Sequence, residues 1–346
     1  MLTWFDRLQF KQDEESEEEK LIIFEFFETS TENINMINSD NWDGKFALNI
    51  FDEFTYKKHE LIRDLMRKND KIIYYLIFFN NNDNDEKVVL EYTDKEELNI
   101  ERYSDFWNLR KWFLFVNGST SPSKPLGGLE TETDYARKLL IKFWNEKMNH
   151  NDDQGRSYTE RMLTIYDEYG QPQYDNGGNV IKFNTYGFDF DLVIYNKEKN
   201  FLSNIELAYN NKPKNRPNKF CGPMNYCWGY GTTGIDNTQK YNNLWKATQY
   251  LKGTFSVLNY TDENNEDKTI DNTFKLILIN SLDYNDGITN EVVYEIEKDK
   301  FENALFKTTN DYSEFYKKSS ETNFHNERYM KKVSESKRER KLQNRC

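Results

Sequence analysis

Histidine and cysteine are scarce, with three of each among 346 residues. None of Cys221, Cys227 and Cys346 stands in a Cys-x-x-Cys pair, and none of His59, His150 and His325 has a second histidine at helical spacing. Structural zinc, dithiol redox chemistry and histidine-driven hydrolysis are therefore disfavoured. Long apolar runs are missing as well. Segments such as KIIYYLIFFN (Lys71–Asn80) and KLILIN (Lys275–Asn280) are strand-length, so no membrane span is expected. The start, MLTWFDRLQFKQDEE, has neither the apolar stretch nor the small-residue cleavage site of a secretion leader, which points to an intracellular, cytoplasmic or nuclear location. Positive charge is not in excess either. A net charge of −12 excludes a uniformly basic nucleic-acid binder and leaves only a local basic patch for phosphate contact.

What is present is an aromatic load of 16%, which separates this chain from a disordered polyelectrolyte. The length suggests two domains of unequal size. The acidic run Asp13–Glu19 reads as a solvated spacer. From there to Asn117, LIIFEFF, KIIYYLIFF, KVVLEY and WFLFV read as strands. FTYKKHELIRDLMRK reads as a helix with Phe54, Leu61, Ile62 and Leu65 on its apolar side. The Asn-rich NNNDNDEK between two of these strands reads as a hairpin loop with no required side-chain chemistry. Residues 1–117 are thus expected to form a small α+β N-terminal domain, and GSTSPSKPLGG (118–128) a linker.

Beyond the linker, TETDYARKLLIKFWNEKM and TERMLTIYDEY, the latter ending near Gly170, read as helices. VIKFNTYGFDFDLVIYN and FLSNIELAY then read as strands joined by the turn NKEKN. A long loop rich in Gly, Pro and aromatics ends at Asp236, a candidate cap for the helix QKYNNLWKATQYLKG. FKLILIN reads as the next strand, and Glu291–Lys318 as further helix. The basic, apolar-poor segment 321–346 forms a tail. No stretch of the sequence repeats another.

Chemistry concentrates where Asp191 and Glu206 stand on the two adjacent strands. An antiparallel pair can bring such acids to one sheet edge if register puts both on one face. Paired carboxylates suit Mg²⁺, a hard ion that takes a few protein oxygens plus water and phosphate oxygen. Asp189 shares the strand face of Asp191, as a third ligand or as a solvent-facing residue. Directly after the Glu206 strand, NKPKNRPNK offers Lys212, Lys214, Arg216 and Lys219 as a local phosphate grip, against the plain reading of a solvated loop. Tyr226, Trp228 and Tyr230 could stack bases or simply pack their loop onto the domain. Glu132 and Glu146 on the preceding helix read as solvated acids.

Asp189-Phe190-Asp191-Leu192-Val193-Ile194 and Asn204-Ile205-Glu206-Leu207-Ala208, followed by a helix and the strand Phe274–Asn280, resemble the PD-(D/E)xK nuclease superfamily over roughly Thr131–Asp283. The resemblance implies an α/β (α+β) domain over residues 129–320, with a restriction-endonuclease-like mixed central sheet flanked by helices. It implies metal-dependent hydrolysis of phosphodiester bonds in nucleic acid, with DNA ahead of RNA. Asp191 would be the first Mg²⁺ or Mn²⁺ ligand and Glu206 the second. The family's lysine normally stands two residues after the glutamate, where this chain has Ala208. Lys240, on the flank of the next helix, and Lys212, just past the strand, are candidates to replace it. Lys240 ranks first and Lys246, deeper in that helix, last. No membrane partner is implied; a homodimer or two successive events would serve double-strand cleavage.

Two other functions share the motif. One is a catalytically inactive, nuclease-like nucleic-acid-binding module. The other is a nucleotidyltransferase using Asp189, Asp191 and Glu206 after the pair Gly177-Gly178, although that pair should open a helix and the sequence around it reads as a hairpin. A structural or interaction protein without chemistry is the remaining reading.

Overall fold

The computed structural model describes residues 2–12, 18–37, 50–93, 98–117, 122–123, 154–183, 187–197, 201–209, 238–260, 273–283 and 287–297. Strands and helices together give a mixed α+β fold. The chain divides into two compact units, Thr3–Phe190 and Met1–Leu2 with Asp191–Cys346. The division falls inside a strand, not at 118–128, which is almost entirely outside the described residues. Residues 154–183, expected in the second domain, belong to the first unit because their apolar side packs there.

In the N-terminal unit, β1 (Leu2–Gln12) pairs antiparallel with β2 (Glu19–Glu28). Two helices follow, α1 (Thr31–Ile37) and α2 (Glu53–Lys68). Strand β3 (Ile72–Phe79) then returns parallel to β2, and β4 (Lys87–Tyr92) and β5 (Leu98–Tyr103) continue as an antiparallel meander. Strand alternation gives the sheet two apolar faces. Ile22, Phe24 and Phe26 bury against α3 (Phe106–Val116) and α4 (Gln154–Leu163). On the other face Phe27 and Phe78 meet Phe51, and Tyr74 meets His59 of α2. Helix α2 starts where the Asp52 carboxylate accepts from the Thr55 N–H at 2.6 Å, and it buries Phe54, Leu61, Ile62 and Leu65 as their spacing predicts.

Several expectations fail here for local reasons. WFLFV is not a strand but the last turns of α3, because Asp105 caps the helix and Phe106, Leu109, Phe113 and Val116 repeat at helical spacing. The extended period-two look of five consecutive apolar residues hides that stripe, and Phe115 is left 78% exposed. The helix expected over TERMLTIYDEY ends at Leu163; Thr164, Tyr166 and Tyr174 form β-bridges instead, and β6 (Pro122–Ser123) pairs with β7 (Lys182–Phe183). The Asn-rich hairpin also has side-chain chemistry. The buried Lys87 ammonium donates to Asn80 Oδ1 (2.9 Å), Asn82 O (2.6 Å) and Asp85 O (2.9 Å), so the loop folds around a cation.

In the C-terminal unit, β8 (Phe188–Asn196, whose first three residues fall in the N-terminal unit) pairs antiparallel with β9 (Phe201–Tyr209). Helix α5 (Thr238–Tyr250) crosses to β10 (Thr254–Tyr260), parallel to β9. Strand β11 (Thr273–Asp283) and β12 (Gly287–Glu297) follow antiparallel. The sequence gives no strong signal for β10, so the expected strand Phe274–Asn280 is the second after α5 rather than the first. Glu291–Glu297, expected as helix, is paired strand, with Val292, Val293 and Ile296 opposite Leu278, Ile277 and Phe274 of β11. The expected helix over 131–148, the cap at Asp236 and the tail 321–346 lie outside the described residues.

The order β1, β2, α2, β3, β4, β5 thus matches β8, β9, α5, β10, β11, β12: an antiparallel pair, a helix, a strand parallel to the second, then an antiparallel meander. The repeat that the sequence hides is plain in the topology. Among the described residues no helix is long and apolar enough to cross a membrane.

Candidate functional site

The β8–β9 ladder runs from Asn196↔Phe201 to Leu192↔Ile205. One step further, the same register sets Asp191 opposite Glu206, so both acids are on one face of the pair. The ladder stops there because the Asp191 carboxylate takes a backbone partner: its Oδ2 accepts from the Leu207 N–H at 2.8 Å. Glu206 is 5% exposed, held between β8 and β10, where it lies beside Val257.

Lys240 completes the group. Its ammonium forms an ion pair with Glu206 Oε1, while its side chain stays 45% exposed. Helix α5 brings it there by a stripe of one residue per turn, Lys240, Leu244 and Thr248. Leu244 is fully buried, and the Thr248 hydroxyl donates to Leu244 O at 2.8 Å while accepting from Asn204 Nδ2 at 2.9 Å. Asn204 and Glu206 share a face of β9, so one contact fixes the rotation of α5 and the other uses it. The helix ends where Lys252 takes a left-handed turn (φ 54°) and the Gly253 N–H reaches Thr248 O at 2.9 Å. Gly253 is needed there because a Cβ would come 2.4 Å from Leu202 Cδ2.

Of the residues expected from sequence, Asp191, Glu206 and Lys240 come together. Lys246 lies off the Lys240–Leu244–Thr248 stripe. Asp189 belongs to the other unit, beside the Arg7 guanidinium. Burial pushes that guanidinium down to about 10, and the Asp189 carboxylate pulls it back up. Gly187 admits it closely, for a Cβ would fall 2.2 Å from Arg7 Nη2. Asp189 thus acts as a counter-ion to Arg7, which favours the structural reading of this residue over that of a third ligand. Lys212, Lys214, Arg216, Lys219, Tyr226 and Trp228 lie outside the described residues. Sequence reasoning missed Asn204 and Thr248 as positioning groups; their signal was the i, i+4, i+8 stripe ending in a buried hydroxyl.

The donor set is two carboxylates, hard oxygen ligands without a thiolate or imidazole. Among the described residues no cluster of three or more His, Cys, Asp and Glu side chains gathers in a metal-holding arrangement. Two acids nonetheless fit Mg²⁺, which is commonly held by one or two carboxylates with water and substrate phosphate completing its shell. Lys240 neutralises one of the two negative charges, which lets the acids stand together on a mostly buried face. No family model matches the chain, and no curated protein and no solved structure matches it either.

Proposed function

We propose that the C-terminal unit is the hydrolytic domain of a metal-dependent nuclease of the PD-(D/E)xK type, with a restriction-endonuclease-like core, acting on nucleic acid and on DNA ahead of RNA. The observation that carries this reading is the ion pair of Lys240 with Glu206, directly across the strand pair from Asp191. Asp191 and Glu206 would hold Mg²⁺ or Mn²⁺, which when bound polarises the scissile phosphate and makes hydroxide available near neutral pH. Lys240 takes the role of the lysine missing at Ala208. An ammonium anchored to the glutamate can orient the attacking water or meet the charge developing on phosphate, and spatial position rather than sequence order decides whether it can. The Leu207 N–H fixes the orientation of Asp191 before any substrate arrives.

Incubation of the purified chain with supercoiled DNA or single-stranded RNA and Mg²⁺ or Mn²⁺ tests the proposal. Asp191→Asn and Glu206→Gln should each abolish strand scission while the circular dichroism spectrum and Tm stay near wild type. Unchanged scission in either variant sinks the assignment. An inactive binding module would instead show salt-sensitive affinity without scission. The nucleotidyltransferase reading is disfavoured by Gly177-Gly178: Asp175 Oδ1 accepts from the N–H groups of Gly177 and Asn179, both at 2.9 Å, in a hairpin turn that opens no helix. It would be revived by transfer of labelled NTP to an acceptor.

A further inference from the structure

The N-terminal unit carries a second set of the same three residue types at the same places in its topology. The β1–β2 ladder runs from Gln12↔Glu19 to Arg7↔Phe24, and one step further sets Asp6 opposite Glu25. Asp6 Oδ2 accepts from the Phe26 N–H at 3.0 Å, as Asp191 Oδ2 accepts from Leu207; in both cases the donor is the residue after the glutamate. Lys58, on the helix that follows, forms an ion pair with Glu25, as Lys240 does with Glu206. Each aspartate follows a buried phenylalanine, Phe5 or Phe190. Each glutamate is followed two residues later by a residue other than lysine, Phe27 or Ala208. In both units the lysine beside the glutamate therefore comes from the helix that follows the strand pair.

Access to solvent differs. The side chains of Asp6, Glu25 and Lys58 are 3%, 6% and 8% exposed. Trp4 closes the set: its indole N–H donates to Asp6 Oδ1 at 2.8 Å, its ring stacks on Phe54, and the Lys58 ammonium lies 4.5 Å from the ring centre. The Asp6 N–H donates to Glu25 Oε1 at 3.2 Å, and Lys58 reaches Asp6 Oδ1 at 3.7 Å. Both oxygens of Asp6 and both of Glu25 are thus committed to donors of the same unit.

We infer that the chain is a tandem of two copies of one ββαβββ unit and that Asp6, Glu25 and Lys58 are a closed counterpart of the Asp191–Glu206–Lys240 site. The closed set is an internal ion cluster that takes no ligand and holds β1, β2 and α2 together. Burial first, and then the adjacent Asp6 carboxylate, hold the Glu25 carboxyl well above the usual range against the downward pull of the Lys58 ammonium. Among the described residues one open site of this kind is left. Only the name of that site's ligand rests on the nuclease reading; the closure of the N-terminal set does not.

Two measurements on the full-length chain test the inference. The first compares the Tm of Lys58→Met with that of D6N/E25Q/K58M. A buried cluster that has lost only its cation should melt about 10 °C below wild type. The neutral triple variant, whose amides keep the shape and the bond to the Phe26 N–H, should recover most of that loss. Wild-type melting of K58M, or a triple variant that melts below K58M, overturns the inference. The second counts Mn²⁺ by titration calorimetry. One ion per chain is expected in wild type and in the triple variant, and none in D191N/E206Q. Two ions in wild type, with one lost in the triple variant, overturns the closed reading. Absence of Mn²⁺ binding in wild type would instead strike the nuclease proposal and leave the melting comparison to decide the inference.

Discussion

Lys58 and Lys240 each neutralise a glutamate one strand away from an aspartate, yet one is 8% exposed and the other 45%. The two units share strand order, register and a carboxylate-to-amide bond at the ladder end. Among the described residues what separates them is the cover: Trp4 and Phe54 lie over the first set. Fold therefore sets which residues meet, while a few side chains around them set whether anything else can enter. A buried lysine between two acids stabilises a unit whose members would each be costly alone. A half-exposed lysine beside a buried glutamate keeps its ammonium within reach of an incoming anion.

The contrast can be broken most sharply at the lysines. Lys240→Met should act chiefly on chemistry, lowering strand-scission turnover by about 10²–10⁴-fold with a smaller drop in Tm than Lys58→Met, since a positioned proton-transfer or charge-stabilising group contributes on that scale and water reaches the half-exposed pair. Lys58→Met should do the reverse at temperatures where it is folded, and single-turnover cleavage rates with melting curves check both. If Lys58→Met instead lost turnover with an unchanged Tm, the assignment of roles would be inverted.

Acid should act next on the N-terminal unit. Burial first, and then Arg63 and Arg67, lower the His59 imidazole to about 3, below its unfolded value near 6.5. The unfolded chain then binds a proton that the folded chain refuses, so His59 lowers stability as pH falls from about 6.5 toward 3, by about 1.4 kcal/mol per pH unit. Glu25 works with the opposite sign. Its raised carboxyl contributes stability at low pH that is lost as pH rises through and above 4.5. Urea denaturation of wild type and His59→Gln across this range isolates the histidine: the wild-type curve should fall more steeply below pH 6.5. Parallel curves would contradict the buried neutral imidazole.

Smaller effects sharpen the comparison. Lys87→Met should cost about 3 kcal/mol, because three acceptors of the Asn-rich hairpin lose a buried cation. Its effect on cleavage should be nil, as it belongs to the N-terminal unit. Thr248→Val should cost only ~1 kcal/mol for the lost bond to Asn204. It should nevertheless slow turnover several-fold while leaving substrate affinity in place, because it loosens the rotation of α5 that presents Lys240. A Thr248→Val enzyme with wild-type turnover would show that the ion pair alone positions the lysine.

Much of this was legible in the residues. Alternation over Phe188–Asn196 and Phe201–Tyr209 and the short turn between them determined an antiparallel pair, and with it the meeting of Asp191 and Glu206. The 3.6-residue stripe of QKYNNLWKATQYLKG determined a helix with Lys240 at its first turn. These are local periodicities, which the chain carries in any short window. Strand β10 was not legible, because Thr254–Tyr260 mixes polar and apolar residues and is ordered by its two neighbours. Nor was the fate of WFLFV, where a cap at Asp105 and burial on β2 outweigh the strand preference of aromatic residues.

The repeat was illegible for a further reason. Only a phenylalanine-aspartate step, one glutamate and one helix lysine are shared, separated by segments of different length and composition. By itself the sequence determined the strands and helices that carry the acids, since hydrophobic period is a local property. Only the tertiary structure decided that the same triad exists twice and that one copy is closed. Register, burial and the placement of a tryptophan over a carboxylate depend on residues far apart in the chain.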